Sequence, residues 1–191
     1  VETTGLDPQQ HTLTAVGIGA EQLEKPLVYF VEQPYREKAA IKWLTRKLEE
    51  FKPYRVGCWR NFDVPFVRKR ARVHRLPDPF SGARGFIDLH RFAVRKLRRD
   101  VHLSDAGRLL GIGEKLFASE DMPALYTQWL KGDTEAKIKI VRHCQRDIEL
   151  EMGVYRRLRE ISHNFRLGLS GLKPKTFRPP SPLVLALRPT V

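Results

Sequence analysis

Short runs of β-branched and aromatic residues near the start of the chain predict a β-hairpin. Residues 12–19 and 27–31 are two such runs, and a polar turn separates them. Runs of this length, bounded by turn residues, are typical of strands that pair through a short loop. The candidate core positions in the two strands are Val16, Ile18, Val28 and Phe30.

Beyond the hairpin, helical periodicity alternates with short apolar runs. Residues 35–51 carry apolar side chains at helical spacing, and Pro53 follows them, so we expect a helix that ends before this proline. Short strands are expected at 54–58 and 86–88. Further helices are expected at 63–74, 89–97 and 122–130, with a loop at 77–85.

The clearest helix is expected at residues 134–161, where apolar side chains recur at three- and four-residue steps. Its stripe consists of Val141, Cys144, Ile148, Met152 and Tyr155. Ser104 is a candidate N-cap of a shorter helix that ends before Gly111. A cluster of strands followed by alternating strands and helices predicts an α/β fold, with a mixed sheet and helices on both faces.

The composition changes after residue 161, which divides the chain into a domain at 1–161 and a tail or linker at 162–191. Pro, Gly and basic residues dominate the tail, and it contains no acidic residue. Such a segment offers too little apolar surface to form a core of its own.

The charge of the chain points to a polyanionic partner. The formal net charge is +13 and the pI is about 10.1, which favours nucleic acid over a merely solvated basic surface. No apolar run approaches the ~20 residues that span a bilayer, so no membrane association is expected. The absence of a signal segment and the presence of two cysteines favour a cytoplasmic, reducing location.

Three short motifs contain the candidate chemistry. The first reads Val-Glu-Thr-Thr-Gly-Leu from Val1, the second places Phe62 before Asp63, and the third is His143-x-x-x-Asp147. Since His143 and Asp147 are four residues apart, they share one face of a helix. In the order and spacing of these motifs, residues 1–158 resemble the DEDD exonuclease superfamily, which includes the proofreading domains of family B DNA polymerases and stand-alone relatives.

This resemblance implies a ribonuclease-H-like fold and a 3′→5′ exonuclease that hydrolyses DNA or RNA, with a single-stranded 3′ end as the expected substrate. It implies that Glu2, Asp63 and Asp147 hold two divalent ions, Mg²⁺ or Mn²⁺. Hard cations of this kind prefer carboxylate oxygens and stabilise both the attacking and the leaving oxygen of a phosphodiester. By the same resemblance, the terminal nucleotide is expected against Thr4, Gly5 and Leu6.

His143 is expected to orient or deprotonate the attacking water. It stands at the spacing at which similar enzymes carry a tyrosine. Each motif also has a simpler interpretation: Glu2 as a loop residue, Asp63 as a helix cap, and Asp147 as one charge on a long helix. The co-occurrence of all three in order favours the site. Asp88 is interpreted as a strand-to-helix cap.

Two features depart from the pattern of the resembled family. Its first motif opens with an Asp, which would fall immediately before Val1, and its first central strand precedes that Asp. We therefore expect both in a longer chain; a second hypothesis docks the run at 183–187 in the place of the strand. In the middle motif, Trp59 stands near the usual Asn and Asn61 adjoins Phe62. Trp59 is therefore expected either to stack on a base or to pack as a core aromatic.

A run of basic residues follows Asp63 directly, and we expect it to contact phosphates, with Arg68 and Arg70 as candidate substrate-binding residues. Two other functions stay open at this point. One is a catalytically inactive nucleic-acid-binding module of the same fold. The other is an endonuclease of the ribonuclease H or resolvase type, which the Phe-Asp and His-x-x-x-Asp signatures disfavour.

Overall fold

A computed structural model of the protein describes residues 1–117 and 121–168, with the backbone alone from residue 164 onward. Within these residues the strands are β1 (Glu2–Thr3), β2 (Leu13–Ile18), β3 (Leu27–Phe30), β4 (Arg55–Cys58) and β5 (Gly85–Asp88). The α-helices are α1 (Glu37–Phe51), α2 (Asp63–Val73), α3 (Leu89–Leu97), α4 (Leu103–Leu109), α5 (Met122–Leu130) and α6 (Thr134–Gly168). Short 3₁₀ turns at Pro34–Arg36 and Trp59–Asn61 precede α1 and α2.

The predicted hairpin is confirmed. Strands β2 and β3 pair antiparallel, with Ala15 opposite Phe30. Strand β1 joins the other edge of β2, where Glu2 lies opposite Ala15. Of the four predicted core residues, three are buried and Val28 is partly buried. The pairing of β1 with β2 fixes the backbone of the first motif in the sheet.

Strands β4 and β5 form a second sheet and run parallel, with Cys58 opposite Asp88. A parallel pair requires a crossover connection, and α2 lies in the segment that joins these two strands. Asp88 also caps α3 as predicted, because its Oδ1 accepts a hydrogen bond from the Arg91 N–H at 3.0 Å. The α/β layout with mixed strand directions is therefore confirmed.

The helix that was expected to be capped by Ser104 begins at Leu103, and His102 is its N-cap residue. The Ser104 hydroxyl instead accepts a hydrogen bond from the backbone N–H of Lys115 at 3.2 Å. The predicted N-cap role of Ser104 is wrong, because this hydroxyl holds the loop that follows α4 rather than the first turn of the helix.

Helices cover both faces of β2. Val16 and Ile18 pack with α1 in one core cluster, whereas Gly17 in the strand and Gly19 just after it face α6. A Cβ atom at Gly17 would lie 2.4 Å from Cδ1 of Ile148, so the missing side chain permits α6 to approach the strand closely. In the predicted stripe on α6, Val141 is partly buried and the other four members are buried.

Helix α6 continues through Gly168, so the boundary proposed after residue 161 falls inside a helix. The rest of the predicted tail, residues 169–191, lies outside the described residues. The hypothesis that residues 183–187 dock in the sheet therefore stays untested. Within the described ranges, no helix combines the length and the apolar character needed to cross a membrane.

A buried ion pair joins α1 to α2. The Glu37 carboxylate is fully buried and accepts hydrogen bonds from Arg70 Nε at 2.8 Å, from Arg70 Nη2 at 2.6 Å and from the Leu13 N–H at 2.8 Å. His74 Nε2 lies 2.5 Å from the same carboxylate. Burial opposes ionisation of Glu37, but the hydrogen bonds from Arg70, Leu13 and His74 outweigh it and lower the pKa of Glu37.

We predict that Glu37→Gln destabilises the fold by about 3–5 kcal/mol at pH 7, because removal of one partner leaves Arg70 buried without a counter-charge. Since the pKa of Glu37 is lowered in the folded state, its contribution is present above the ordinary value of 4.5 and is lost as the pH falls below it. In urea unfolding experiments, the difference in unfolding free energy between the wild type and Glu37→Gln should therefore be smaller at pH 4 than at pH 7.

The matched control for this experiment is Glu50→Gln, which removes an exposed ion pair with Lys47. Its effect should be at most about 1 kcal/mol. Equal unfolding free energies for Glu37→Gln and the control would contradict the structural role of this ion pair.

Candidate metal centre

The three motifs meet at one cavity of about 770 Å³ between the two sheets. Glu2 reaches it from β1, Asp63 from the first turn of α2 and Asp147 from α6. The walls on either side are formed by Val16 of β2 and Val56 of β4, among other residues of these strands. The fold thus brings together carboxylates that are far apart in the sequence.

Three side chains at this place have the arrangement of metal ligands. One ligand atom each from Glu2, His143 and Asp147 lies within 4.8 Å of the others. Glu2 is 7% exposed and His143 is fully buried. His143 Nε2 lies 3.7 Å from Asp147 Oδ2, one helical turn away. Nitrogen and carboxylate oxygen together form a donor set that suits a divalent cation such as Mn²⁺.

The hydrogen bonding of these residues also fits a cation. Among the described residues, neither ring nitrogen of His143 has a hydrogen-bond partner, and the same holds for Asp147 Oδ1. A buried polar atom without a partner costs about 1–3 kcal/mol. An ion bound between Glu2, His143 and Asp147 would satisfy one ring nitrogen of His143 and a carboxylate oxygen of Asp147.

The electrostatics of the site follow from burial. Burial raises the pKa of Glu2 to about 8. The positive charges of the Val1 amino group and Lys115 lower this pKa, and the negative charges of Asp147 and Asp63 raise it. Burial also lowers the pKa of His143, so the imidazole is neutral at pH 7 and keeps a lone pair for a metal or a water proton. A bound divalent cation would reverse the effect on Glu2 and favour its ionised form.

Asp63 lies beside this donor set. Its Oδ1 accepts a hydrogen bond from the amino nitrogen of Val1 at 3.1 Å. The simpler interpretation of Asp63 as a helix cap does not match the geometry, since Phe62 is the N-cap residue of α2 and makes no side-chain cap. Asp63 therefore turns its carboxylate toward the first motif.

Lys115 belongs to the site, although sequence analysis did not identify it. Its Nζ forms an ion pair with Asp147 Oδ2, and the residue lies in the loop between α4 and α5. No local pattern marks this lysine, because its position depends on how the loop folds back on α4. That packing requires Gly107, where a Cβ atom would lie 2.3 Å from the carbonyl oxygen of Gly113.

Glu151 was also missed. It is 9% exposed, lies one helical turn beyond Asp147 and lines the same cavity. Burial raises the pKa of Glu151 well above its ordinary value, and the charge of Asp63 adds to the increase. The four-residue spacing from Asp147 is the signal that could have found it.

The residues expected around the terminal nucleotide divide into two groups. Gly5 and Leu6 line the cavity, and Leu6 is 80% exposed. Thr4 instead fixes the turn after β1, because its N–H donates to the Thr12 carbonyl at 2.9 Å and its Oγ1 accepts from the Thr12 N–H at 3.0 Å. A Cβ atom at Gly5 would lie 2.6 Å from the His11 ring, which explains the glycine in this turn.

Of the two candidates in the middle motif, Trp59 lines the cavity and packs edge-on against His90, with 5.5 Å between the ring centroids. It therefore combines a core contact with a surface open to a ligand. Asn61 is exposed, has a φ of 51°, and is not among the cavity-lining residues.

The two basic candidates have protein partners. Arg68 Nε donates to Asp78 Oδ2 at 2.9 Å, and its guanidinium lies 4.7 Å from the Phe86 ring centroid. Arg70 is buried, and its Nη1 donates to the Pro8 carbonyl in addition to the Glu37 contacts. Because all its guanidinium nitrogens are engaged inside the fold, we do not include Arg70 in a nucleic-acid interface. A run of basic residues in the sequence does not reveal which of its members is buried.

Comparison with known proteins identifies the class. The sequence pattern of the RNase H superfamily matches residues 1–159, and the chain belongs to this superfamily. Over 163 residues it is 30% identical to an uncharacterized protein of Methanocaldococcus jannaschii. The aligned region covers 82% of this chain and 90% of the relative. No solved structure matches the chain significantly. Nucleases of this superfamily act on nucleic acids and generally use divalent metal ions.

We predict that Gly107→Ala destabilises the protein by about 1–3 kcal/mol, because the added methyl group meets backbone rather than a flexible side chain. Helix propensity alone predicts the opposite sign, since Ala is favoured over Gly by roughly 1 kcal/mol in a helix. Chemical unfolding distinguishes the two. Gly82→Ala serves as the control, as no atom lies within 4 Å of its added Cβ; a stabilised Gly107→Ala protein would contradict the packing described.

Proposed function

We propose that the protein is a metal-dependent 3′→5′ exonuclease of the DEDD type, which removes nucleotides from single-stranded 3′ ends of DNA or RNA. The observation that carries the proposal is the convergence of buried, unpartnered donor atoms from His143 and Asp147 with the carboxylate of Glu2. Asp63 on the same cavity supplies the carboxylate of the remaining motif.

In this proposal Glu2, Asp63 and Asp147 bind Mg²⁺ or Mn²⁺ through their carboxylate oxygens. When bound, the ions supply Lewis-acid stabilisation of the charge that develops on the phosphodiester oxygens. The fixed sheet and helix positions of the three residues keep the carboxylates in place, so little reorganisation is needed during the reaction. Burial excludes bulk water and strengthens these interactions.

His143 has the properties of a group that takes a proton from the attacking water. Its imidazole is neutral at pH 7, because burial lowers its pKa. Nε2 lies on the side of Asp147, at 3.7 Å from Oδ2, where that carboxylate would stabilise a proton gained by the ring. The same lone pair would serve as a metal ligand, and both roles require the neutral ring.

Attack at an end rather than within a strand is supported by the resemblance of the motifs. Gly5, Leu6 and Trp59 line the cavity beside the carboxylates. A terminal nucleotide placed there would have an apolar side chain and an aromatic ring against its base.

A second candidate function, an inactive nucleic-acid-binding module, is favoured by one observation. The Lys115 ammonium is paired with Asp147, and so it supplies positive charge at the place where a cation would sit. In a module of this kind the lysine would replace the metal permanently. Catalysis instead requires that a divalent ion displaces Lys115 from Asp147.

Digestion of 5′-labelled single-stranded DNA and RNA tests the enzyme proposal. We predict a ladder that shortens from the 3′ end with Mn²⁺ or Mg²⁺ and vanishes with EDTA. Asp63→Asn and Asp147→Asn should each lower the rate by on the order of 10³-fold, because a carboxylate that holds the metal contributes several kcal/mol to transition-state stabilisation. Asp105→Asn, which alters an exposed ion pair with Arg108, is the control and should retain the rate.

Products from the middle of the strand would contradict the exonuclease proposal and favour an endonuclease. Binding without cleavage under every metal would favour the inactive module.

The charge of the site surroundings generates a separate prediction for binding in EDTA. Arg60 lines the cavity and is about half exposed, so Arg60→Gln should weaken single-strand binding and reduce the slope of log K against log salt by about 0.7, the value for one phosphate contact. Arg46→Gln, an exposed residue of α1, should leave the slope unchanged. Fluorescence anisotropy over a salt series measures both, and equal slopes would contradict a phosphate contact at Arg60.

A further inference from the structure

The C-terminal end of helix α3 carries a dense group of positive charges to which the proposed reaction assigns no role. Residues 89–104, which include this helix, contain a single acidic residue, Asp100. Four basic side chains at the end of α3 and in the turn after it are exposed, and we call them the α3 basic surface: Arg95, Lys96, Arg98 and Arg99.

The charges of the α3 basic surface are not neutralised within the described part of the chain. None of its four side chains takes part in any of the ion pairs found there. Arg95 and Lys96 contact only the Phe92 ring, at 5.9 and 5.8 Å from its centroid. Like charges three and four residues apart repel each other, and a bound polyanion would relieve this repulsion.

The packing of α3 turns these charges toward the solvent. Leu89 and Ala93 are buried on the inner face of the helix. Phe92 packs against Tyr155 of α6, with 5.4 Å between the ring centroids. The basic side chains therefore lie on the face that is open to a large partner.

The α3 basic surface adjoins the cavity of the metal centre. Trp59 lines this cavity and packs edge-on against His90 in the first turn of α3, with 5.5 Å between the ring centroids. Arg60 also lines the cavity, and its Nη2 lies 3.8 Å from Oδ1 of Asp100, directly after the α3 basic surface. Both ends of α3 are thus in contact with one wall of the cavity.

We propose that the α3 basic surface binds the phosphates of the nucleic-acid strand whose 3′ end lies in the cavity. The strand then passes from the cavity over Trp59 and Arg60 onto α3. This inference rests on the proposed function, which supplies the nucleic-acid partner. Since phosphate contacts give affinity without sequence readout, the surface binds a strand of any sequence.

The alternative role for these charges is structural, because cations in the last turn of a helix stabilise its C-terminus. A variant that combines Arg95→Gln, Lys96→Gln and Arg99→Gln separates the two roles. Arg98 is left in place, since its φ of 59° makes its backbone sensitive to substitution.

The matched control removes the same amount of charge from another helix. It combines Lys38→Gln, Lys42→Gln and Arg46→Gln on the exposed face of α1. Because both variants lose three positive charges, a difference between them reports a local contact rather than the net charge of the protein.

The test is fluorescence anisotropy with the full chain in EDTA, using labelled single-stranded DNA and RNA of about 16 nucleotides over a salt series. We expect the α3 variant to bind about 10-fold more weakly at low salt. The slope of log K against log salt should fall by about 2, at roughly 0.7 for each phosphate contact that is lost. The α1 variant should keep the wild-type slope.

The outcomes separate this inference from the proposed function. A wild-type slope and affinity for the α3 variant, with or without a lower melting temperature, would overturn the inference and leave the nuclease proposal intact. Equal losses in the α3 and α1 variants would also overturn it, because net charge alone would then explain binding. Failure of the folded wild-type protein to bind or cleave either nucleic acid would overturn both proposals.

A single substitution keeps the test decisive if circular dichroism shows that the α3 variant does not fold. Arg99→Gln lies beyond the last residue of α3 and removes one charge without changing the helix. It should lower the salt slope by about 0.7. An unchanged slope would overturn the inference.

Discussion

The close packing of α6 against β2 is the constraint on which the site depends. Gly17 and Gly19 remove side chains from the face of the strand toward α6, and Ile148 and Met152 occupy the space. Ile148 follows Asp147 directly. The packing of Ile148 against β2 therefore also fixes the position of the Asp147 carboxylate at the edge of the buried face of α6. Strand β1 pairs with the same β2, so Glu2 is held against Asp147 and His143 by a shared neighbour.

A second constraint is electrostatic. The buried carboxylate of Glu37 is compensated by Arg70 in full, with two hydrogen bonds between them and a third from Leu13. At the cavity, Asp147 is paired with Lys115 and Asp63 with the Val1 amino nitrogen, whereas Glu2 and Glu151 form no ion pair with another described residue. One group of buried charges is therefore satisfied within the protein and stabilises the fold. The other is left for a ligand, and this contrast is the physical basis for locating function at the cavity rather than at α1 and α2.

Much of the fold followed from local patterns. Helical periodicity located α1, α3, α5 and most of α6, and runs of β-branched residues located the hairpin. The three acidic motifs were found because their order and spacing are specific in combination. What local patterns could not supply is contact between distant segments. Arg70 looked like a phosphate ligand since its partner Glu37 is 33 residues away, and Lys115 carried no signal because its position follows from packing of a loop on Gly107.

The place of Glu151 at the cavity could be predicted from the sequence only in part. Its spacing from Asp147 was visible in the sequence, but a glutamate on a long charged helix is ordinarily exposed. Only the packing of α6 shows that this helix face is turned inward.

The central claim is that a divalent cation binds between Glu2, His143 and Asp147. The most direct measurement is anomalous diffraction at the manganese edge from crystals of the full chain grown with Mn²⁺. The account predicts an anomalous peak within coordination distance of a His143 ring nitrogen and of carboxylate oxygens from Glu2 and Asp147, with Lys115 displaced from Asp147. A cavity without an anomalous peak at saturating Mn²⁺, with Lys115 still paired to Asp147, would contradict it.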